Sequence, residues 1–268
     1  MSKRQRSSIA FEMVNASGSA PFLITVEHAS NHIPPEFGDL GLSRDVLDAH
    51  LAYDLYAAEF GTALAKDLDA PAILGATSRL LVDCNRLESS HQLIRAETHG
   101  VSVPGNRDLN SDQVRDRTDR YYRPYHDGVE RAIEAYQAKH GHYPYLISVH
   151  TFTHTLDGGI TERDCDIGLL WDVDKTLAEH LQAHMNTHFP ELNVGQNVPY
   201  DAHTEEEGAL HVFGHPKGIS GIEIEINQKS LSDPHKHDAI LRAIKSGLRS
   251  LNELGVGAHE LKNAIGMK

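Results

Sequence analysis

HYPYLISVH, residues 142–150, is a short apolar run closed by a histidine. Leu146, Ile147 and Val149 leave it no polar face. A run this short and this apolar reads as a strand covered on both sides, the pattern of a parallel sheet between helices. The same signature recurs outward from it. PFLITVEH (21–28) and DIGLLWDV (166–173) are further buried strands, and GISGIEIEIN (218–227) is a strand with strict alternation. APAILGATSRLLVDCNR (70–86) reads as two short strands around a Gly/Ala/Thr turn.

Helical periods lie between these strands. From Ser43 to Leu68, apolar residues recur at Leu47, Leu51, Leu55, Ala58 and Ala63, with Ser43 as N-cap. Arg120 to Lys139 is a second helix, with Pro124 in its first turn. Asp174 to His188 and Asp233 to Leu254 are two more, the last with Asp233 as N-cap and Pro234 at the first helical position. The polar stretch from Leu87 to Asp119 lacks periodicity. It is long for a loop, and it is either a surface loop or a lid over a site. This alternation predicts one α/β domain over residues 1–268, with residues 1–18 a flexible N-terminal segment. The expected architecture is a three-layer α/β/α sandwich around a central mixed, mainly parallel sheet.

The bulk composition narrows the function. The 268 residues carry a formal charge of −13, which argues against nucleic acid or an anionic membrane as partner. No apolar run approaches the ~18 residues of a membrane span. Two cysteines, Cys84 and Cys165, make no disulfide framework, so a reducing, cytoplasmic setting is expected. The oligomeric state leaves no mark on the sequence.

The polar residues of interest fall where strands stop, which is where ligand sites gather in such sheets. His28 follows Phe22–Val26, and His150 follows Leu146–Val149. Asn85 and Arg86 follow Leu80–Val82, and Glu225 lies near the end of 222–226. Two imidazoles and an acidic group are ligands for Zn²⁺, whose Lewis acidity activates water and polarises a carbonyl. A glutamate can take the proton of that water, and an arginine can grip a substrate carboxylate in bidentate fashion. The set would make an amide hydrolase for a carboxylated small molecule. Each residue also has an ordinary reading. A lone strand-end histidine is more often a hydrogen-bonded loop residue, Arg86 can simply pair with Asp83 or Glu88, and Glu223 and Glu225 can share a solvated strand face. Cys84 reads as a small buried apolar residue. For a third ligand, Asp48, His50 and Asp54 lie early in the first helix. His50 and Asp54 share a face at i and i+4, while Asp54 is equally an exposed helix residue. Glu27 and His32, which flank His28, are also open. His203 and His211 flank the acidic run EEE, which usually marks a solvated surface.

At these residues the chain resembles the N-formylglutamate amidohydrolase family. The matching stretches are VEHASNHIP (26–34), Asp48-x-His50 followed by AYD, RLLVDCNR (79–86), YYRPYH (121–126), ISVHTF (147–152), NVPY (197–200) and GIEIEIN (221–227). They span roughly residues 20 to 250. The resemblance implies a zinc-exopeptidase-like fold, shared with carboxypeptidases and aspartoacylase-like deacylases. It implies a divalent metal, Zn²⁺ by expectation, on His28 and His150. The relatives carry a Glu ligand three residues after the first histidine. Here Asn31 stands at that spacing, so the third ligand is expected from Asp48 or His50. Asn85 and Arg86 are similar to the pair that grips the substrate carboxylate, and Glu225 is similar to the glutamate base. Asn31, Asn197 and Tyr200 are placed near the substrate. The implied reaction cleaves N-formyl-L-glutamate to formate and glutamate, a step of histidine breakdown. A different N-acyl amino acid remains an alternative substrate. A binding protein of the same fold, recognising a carboxylated ligand through Arg86, is the second class of reading. An acid–base hydrolase without metal is a third.

Overall fold

The computed structural model describes residues 9–156, 161–203 and 208–253. In chain order its strands are β1 (Phe11–Val14), β2 (Phe22–Val26), β3 (Ala72–Gly75), β4 (Glu97–Thr98), β5 (Val101–Ser102), β6 (Tyr145–Phe152), β7 (Thr155–Leu156), β8 (Thr161–Glu162), β9 (Ile167–Leu170), β10 (Val194–Gln196) and β11 (Gly221–Asn227). Its α-helices are α1 (Arg44–Leu47), α2 (Ala57–Leu68), α3 (Ser111–Arg117), α4 (Arg123–His140), α5 (Thr176–His188), α6 (Gln228–Ser232) and α7 (Pro234–Glu253).

Seven strands form the central sheet in the order β1-β3-β2-β6-β11-β9-β10. The inner strands β3, β2, β6 and β11 run parallel. Edge strand β1 is antiparallel to β3, and β9 is antiparallel to β11. The sheet is therefore mixed and mainly parallel, as the apolar runs predict.

Strand alternation divides the core into two layers. Ile24, Ile147 and Ile224 point to the face covered by α2, α5 and α7, where Phe60, Leu181 and Ile244 pack on them. Leu23, Ile73 and Leu146 point to the opposite face, covered by Tyr125, Val129 and Ile133 of α4. The sandwich has three layers because each inner strand must bury both faces. A third apolar cluster, including Leu80, Leu81, Val82, Val103 and Tyr122, sits under the 78–122 segment.

Three expectations are corrected. First, the helix from Ser43 to Leu68 is two helices, α1 and α2, with a tight turn at 48–56 between them. The Asp54 amide donates to the carbonyl of His28 at 2.9 Å instead of continuing a helical ladder, and Tyr56 adopts a left-handed φ of 70°. Second, Leu80–Val82 is buried but is no strand. Its carbonyls accept from side chains: Asn106 Nδ2 donates to Leu80 at 2.8 Å and Arg117 Nη1 to Leu81 at 3.1 Å. Side chains thus do the work of a neighbouring strand. Third, part of the N-terminal segment is ordered, because Phe11–Val14 pairs with β3. Residues 1–8 lie outside the described residues.

The polar stretch 87–119 carries structure of its own. It holds the β4–β5 hairpin and α3, which starts in a reciprocal Asn110/Gln113 capping box. Among the described residues, no helix is long and apolar enough to cross a membrane.

Candidate active site

The site lies at the carboxyl ends of β2, β6 and β11. The parallel register sets Glu225 of β11 beside His150 of β6, and Glu223 beside Ser148. Residues 223 and 225 share a strand face with 148 and 150, so the two glutamates and the histidine stand on the α4 side of the sheet. Beyond the end of β2, Glu27 comes within 3.2 Å of His150 Nε2, and His28 follows it.

Asp54 joins the two histidines. Its Oδ2 is 2.9 Å from His150 Nδ1 and 3.5 Å from His28 Nδ1. One ligand atom from each of the three lies within 4.8 Å of the other two, and all three residues are buried. Two imidazoles and a carboxylate at this spacing match the donor set of a catalytic zinc site, which leaves a coordination position open. The distal ring nitrogens support that fit. His28 Nε2 is 2.7 Å from Asp83 Oδ1, and His150 Nε2 faces Glu27. Carboxylates on the far side of ligating imidazoles are the usual means of fixing ring orientation.

The electrostatics agree. Burial would raise Glu27, but its hydrogen bond and charge interaction with His150 hold it at about 2. Burial is likewise overcome at Asp83, where His28 and Arg86 keep the carboxyl well below the usual range. Asp54 lies well below its ordinary value as well: Arg79 and His28 outweigh burial. Burial would strip the proton from His150, yet Glu223, Asp54 and Glu27 push its pKa well above the imidazole range. Carboxylates that stabilise a proton at His150 would stabilise a cation bound there. Glu225 goes the other way: burial, reinforced by Asp54 and Glu223, raises its pKa far above that of an ordinary carboxyl. A buried carboxyl tuned upward beside a cation site is the pattern of a general base or acid.

These groups open into a cavity of about 260 Å³. Its walls include His50, Arg79, Asn85, Arg86, Arg95, His99, Tyr200, Glu223 and Glu225. Arg79 Nη2 lies 3.0 Å from Asp54 Oδ1, which sets a fixed cation next to the histidine–aspartate trio. Asn85 Oδ1 accepts from the Ala209 amide at 2.9 Å, and Arg86 Nε is 3.8 Å from Asp83 Oδ2. Tyr200 is held by Arg163 at 3.1 Å.

The structure gathers only part of the expected set. His28, His150, Asn85, Arg86, Tyr200 and Glu225 come together. His50 lines the cavity beside the trio, but its Nδ1 accepts from Gln228 Nε2 at 2.7 Å; burial depresses its pKa to about 3 and keeps it neutral. Asp48 stays outside this arrangement. Its exposed carboxylate accepts from Arg44 at 2.8 Å and from Asn31 at 3.1 Å, and neither Asp48 nor Asn31 lines the cavity. Asn197 brackets the backbone of Trp171 through both ends of its amide, at 2.9 and 3.0 Å, and is also outside it. Cys84 is buried and its thiol pKa is pushed up by burial, so it is no ready nucleophile.

Arg79 and Asp83 have no assigned role in the sequence. Arg79 and Asp83 lie within RLLVDCNR, yet only the turn at 78–86 aims both at the cavity. Arg95 and His99 arrive from the polar stretch that predicted a loop or lid.

The model of the N-formylglutamate amidohydrolase family matches residues 20–231. The chain belongs to this family. It is a hydrolase of amide bonds, and its sandwich is the family's. The gene product Atu2144 of Agrobacterium tumefaciens is 30% identical in sequence. Its structure superposes with a TM-score of 0.83, covering 94% of this chain and 98% of that one. An N-formylglutamate amidohydrolase from Ralstonia eutropha JMP134, 17% identical, has the same fold, with a TM-score of 0.71 over 91% of this chain and 98% of that one. No curated protein matches the chain. Within the amidohydrolase, every wall of the cavity falls inside the matched span.

Proposed function

We propose that this amidohydrolase cleaves N-formyl-L-glutamate, or a closely similar N-acyl amino acid, to the free acid and the amino acid. The observation that carries the reading is the His28–Asp54–His150 trio opening into a small cavity that Glu225 and several arginines share. His28, Asp54 and His150 would hold a divalent metal, zinc by the chemistry of its donors. Bound there, the metal would supply Lewis acidity, which polarises the acyl carbonyl and acidifies water.

The chain's own groups do the rest. Glu225 takes a proton from the attacking water as the C–O bond forms, and returns it to the leaving nitrogen as the C–N bond breaks. Arg79, fixed beside Asp54, is placed to offset the negative charge that develops on the carbonyl oxygen. Arg86 grips the α-carboxylate, with Asn85 beside it, as a guanidinium fork suits a carboxylate. Arg95, which also lines the cavity, supplies a second cation for a side-chain carboxylate, which favours a glutamate over a neutral amino acid. A cavity of about 260 Å³ suits one amino-acid derivative better than a peptide.

The test is a panel of N-formyl and N-acyl amino acids with the zinc-loaded protein. Formate release from N-formylglutamate is expected to exceed that from N-formyl derivatives of neutral amino acids. Arg95→Ala should narrow that preference mainly through KM. If the metal-loaded protein hydrolyses none of the panel, the reading fails.

A further inference from the structure

A second group of metal-ligating side chains closes on one point outside the catalytic cavity. Asp172 follows β9. His211 and His215 lie four residues apart on the helical turn Leu210–Lys217. Asp172 Oδ2 is 3.6 Å from His211 Nδ1 and 3.4 Å from His215 Nε2. The two imidazole rings stand 4.6 Å apart between centroids. One ligand atom from each residue lies within 4.8 Å of the other two.

These contacts are poor as hydrogen bonds. A charged N–H···O contact normally closes to ~2.7–2.9 Å, and both distances here exceed that. They suit three ligands that converge on a common point. All three side chains are half-buried, so water could complete a coordination shell. Two crevices flank the cluster. One, of about 200 Å³, is bordered by Asp172 and His215; a smaller one is bordered by Asp172, His211 and Glu223.

We propose that Asp172, His211 and His215 form a second site for a divalent transition-metal cation of borderline softness, zinc by preference, separate from the His28–Asp54–His150 trio. Two imidazole nitrogens select zinc, nickel, cobalt or copper over magnesium and calcium, which take oxygen ligands. The placement gives the site a consequence. Glu223, on the wall of its smaller crevice, is also 3.8 Å from His150 Nε2. The turn that carries the two histidines begins beside Ala209, whose amide holds Asn85 Oδ1 at 2.9 Å. A cation here ties that turn to the end of β9 and so steadies the Asn85 wall of the cavity.

The experiment is metal counting on the full chain after equilibration with zinc and removal of unbound ion. Wild type is compared with the His211→Gln/His215→Gln double variant and with Asp172→Asn. Each variant is expected to hold one equivalent fewer than wild type while keeping the metal of the trio. Circular dichroism identifies any variant that fails to fold, and Asp172→Asn then gives the reading alone. Equal zinc content in wild type and a folded variant overturns the site. The outcome is independent of the proposed reaction. Were the trio to bind no metal, the difference of one equivalent between wild type and variant would persist.

Discussion

Asp54 shows how much turns on one side chain. In sequence it is one more acidic residue four positions after a histidine, and it reads equally well as an exposed helix residue. In the structure its carboxylate faces His28, His150 and Arg79 in a buried site. Two predictions belong at this scale. Glu225→Gln keeps the side chain's shape but cannot take a proton. It should cost a factor of ~10²–10⁴ in kcat, read as formate release, with metal content unchanged. A variant that keeps full activity would remove Glu225 from the reaction. Asp83→Asn leaves the trio intact but replaces the charged partner of His28 Nε2. Metal affinity should fall roughly 10–100-fold, as it does on loss of such outer partners, measured by competition with a chelator.

At the scale of elements, close approaches of backbone build the site. β3 and the end of β2 run so tightly together that a Cβ on Gly75 would press into the carbonyl oxygen of Glu27. Backbone cannot yield as a side-chain tip can. Gly75→Ala should therefore destabilise the fold by ~1–3 kcal/mol, read by urea or thermal unfolding. It should also disturb the metal site, because the displaced carbonyl adjoins His28. An unchanged midpoint would mean that the strand pair has slack. The helix break at 48–56 belongs to the same scale. Apolar spacing alone favoured one long helix from Ser43. A tertiary hydrogen bond from the Asp54 amide to His28 competes with the ladder and wins, and it brings Asp54 inward. The run Leu80–Val82 reads as a strand in sequence for a related reason. Apolar content predicts burial, but it does not say whether a strand or the side chains of Asn106 and Arg117 will satisfy the carbonyls.

Across the whole molecule, Asp166 couples distant parts of the chain. It accepts from Lys236 Nζ of α7 at 2.7 Å, from the Asn193 amide at 3.0 Å, and from the Ser230 hydroxyl of α6. Burial raises its pKa, but Lys236 and Ser230 bring the net value below the usual one. A carboxyl whose folded pKa is depressed releases its proton on folding. Its contribution is fully present above its unfolded pKa of ~3.9 and is lost as pH falls through the lower folded value. Wild type should therefore exceed Asp166→Asn in stability at pH 7. The gap should close as the pH drops below about 4, read by urea unfolding at several pH values. A gap that is constant with pH would mean the carboxylate's charge is not what matters.

Much of this protein was legible in the residues alone. Apolar runs closed by polar groups determined the parallel core, its two covered faces and the strand ends where His28, His150 and Glu225 would meet, because burial and alternation are local properties of a strand. The motifs of the family carried the reaction class. The third member of the histidine cluster was not legible. The family resemblance points to Asp48 or His50, yet Asp48 turns to Arg44 and Asn31 at the surface while Asp54 turns inward. That choice, and the aim of Arg79 and Arg95 into one cavity, rests on hydrogen bonds and packing between segments far apart in the chain. Only the folded structure brings those segments together.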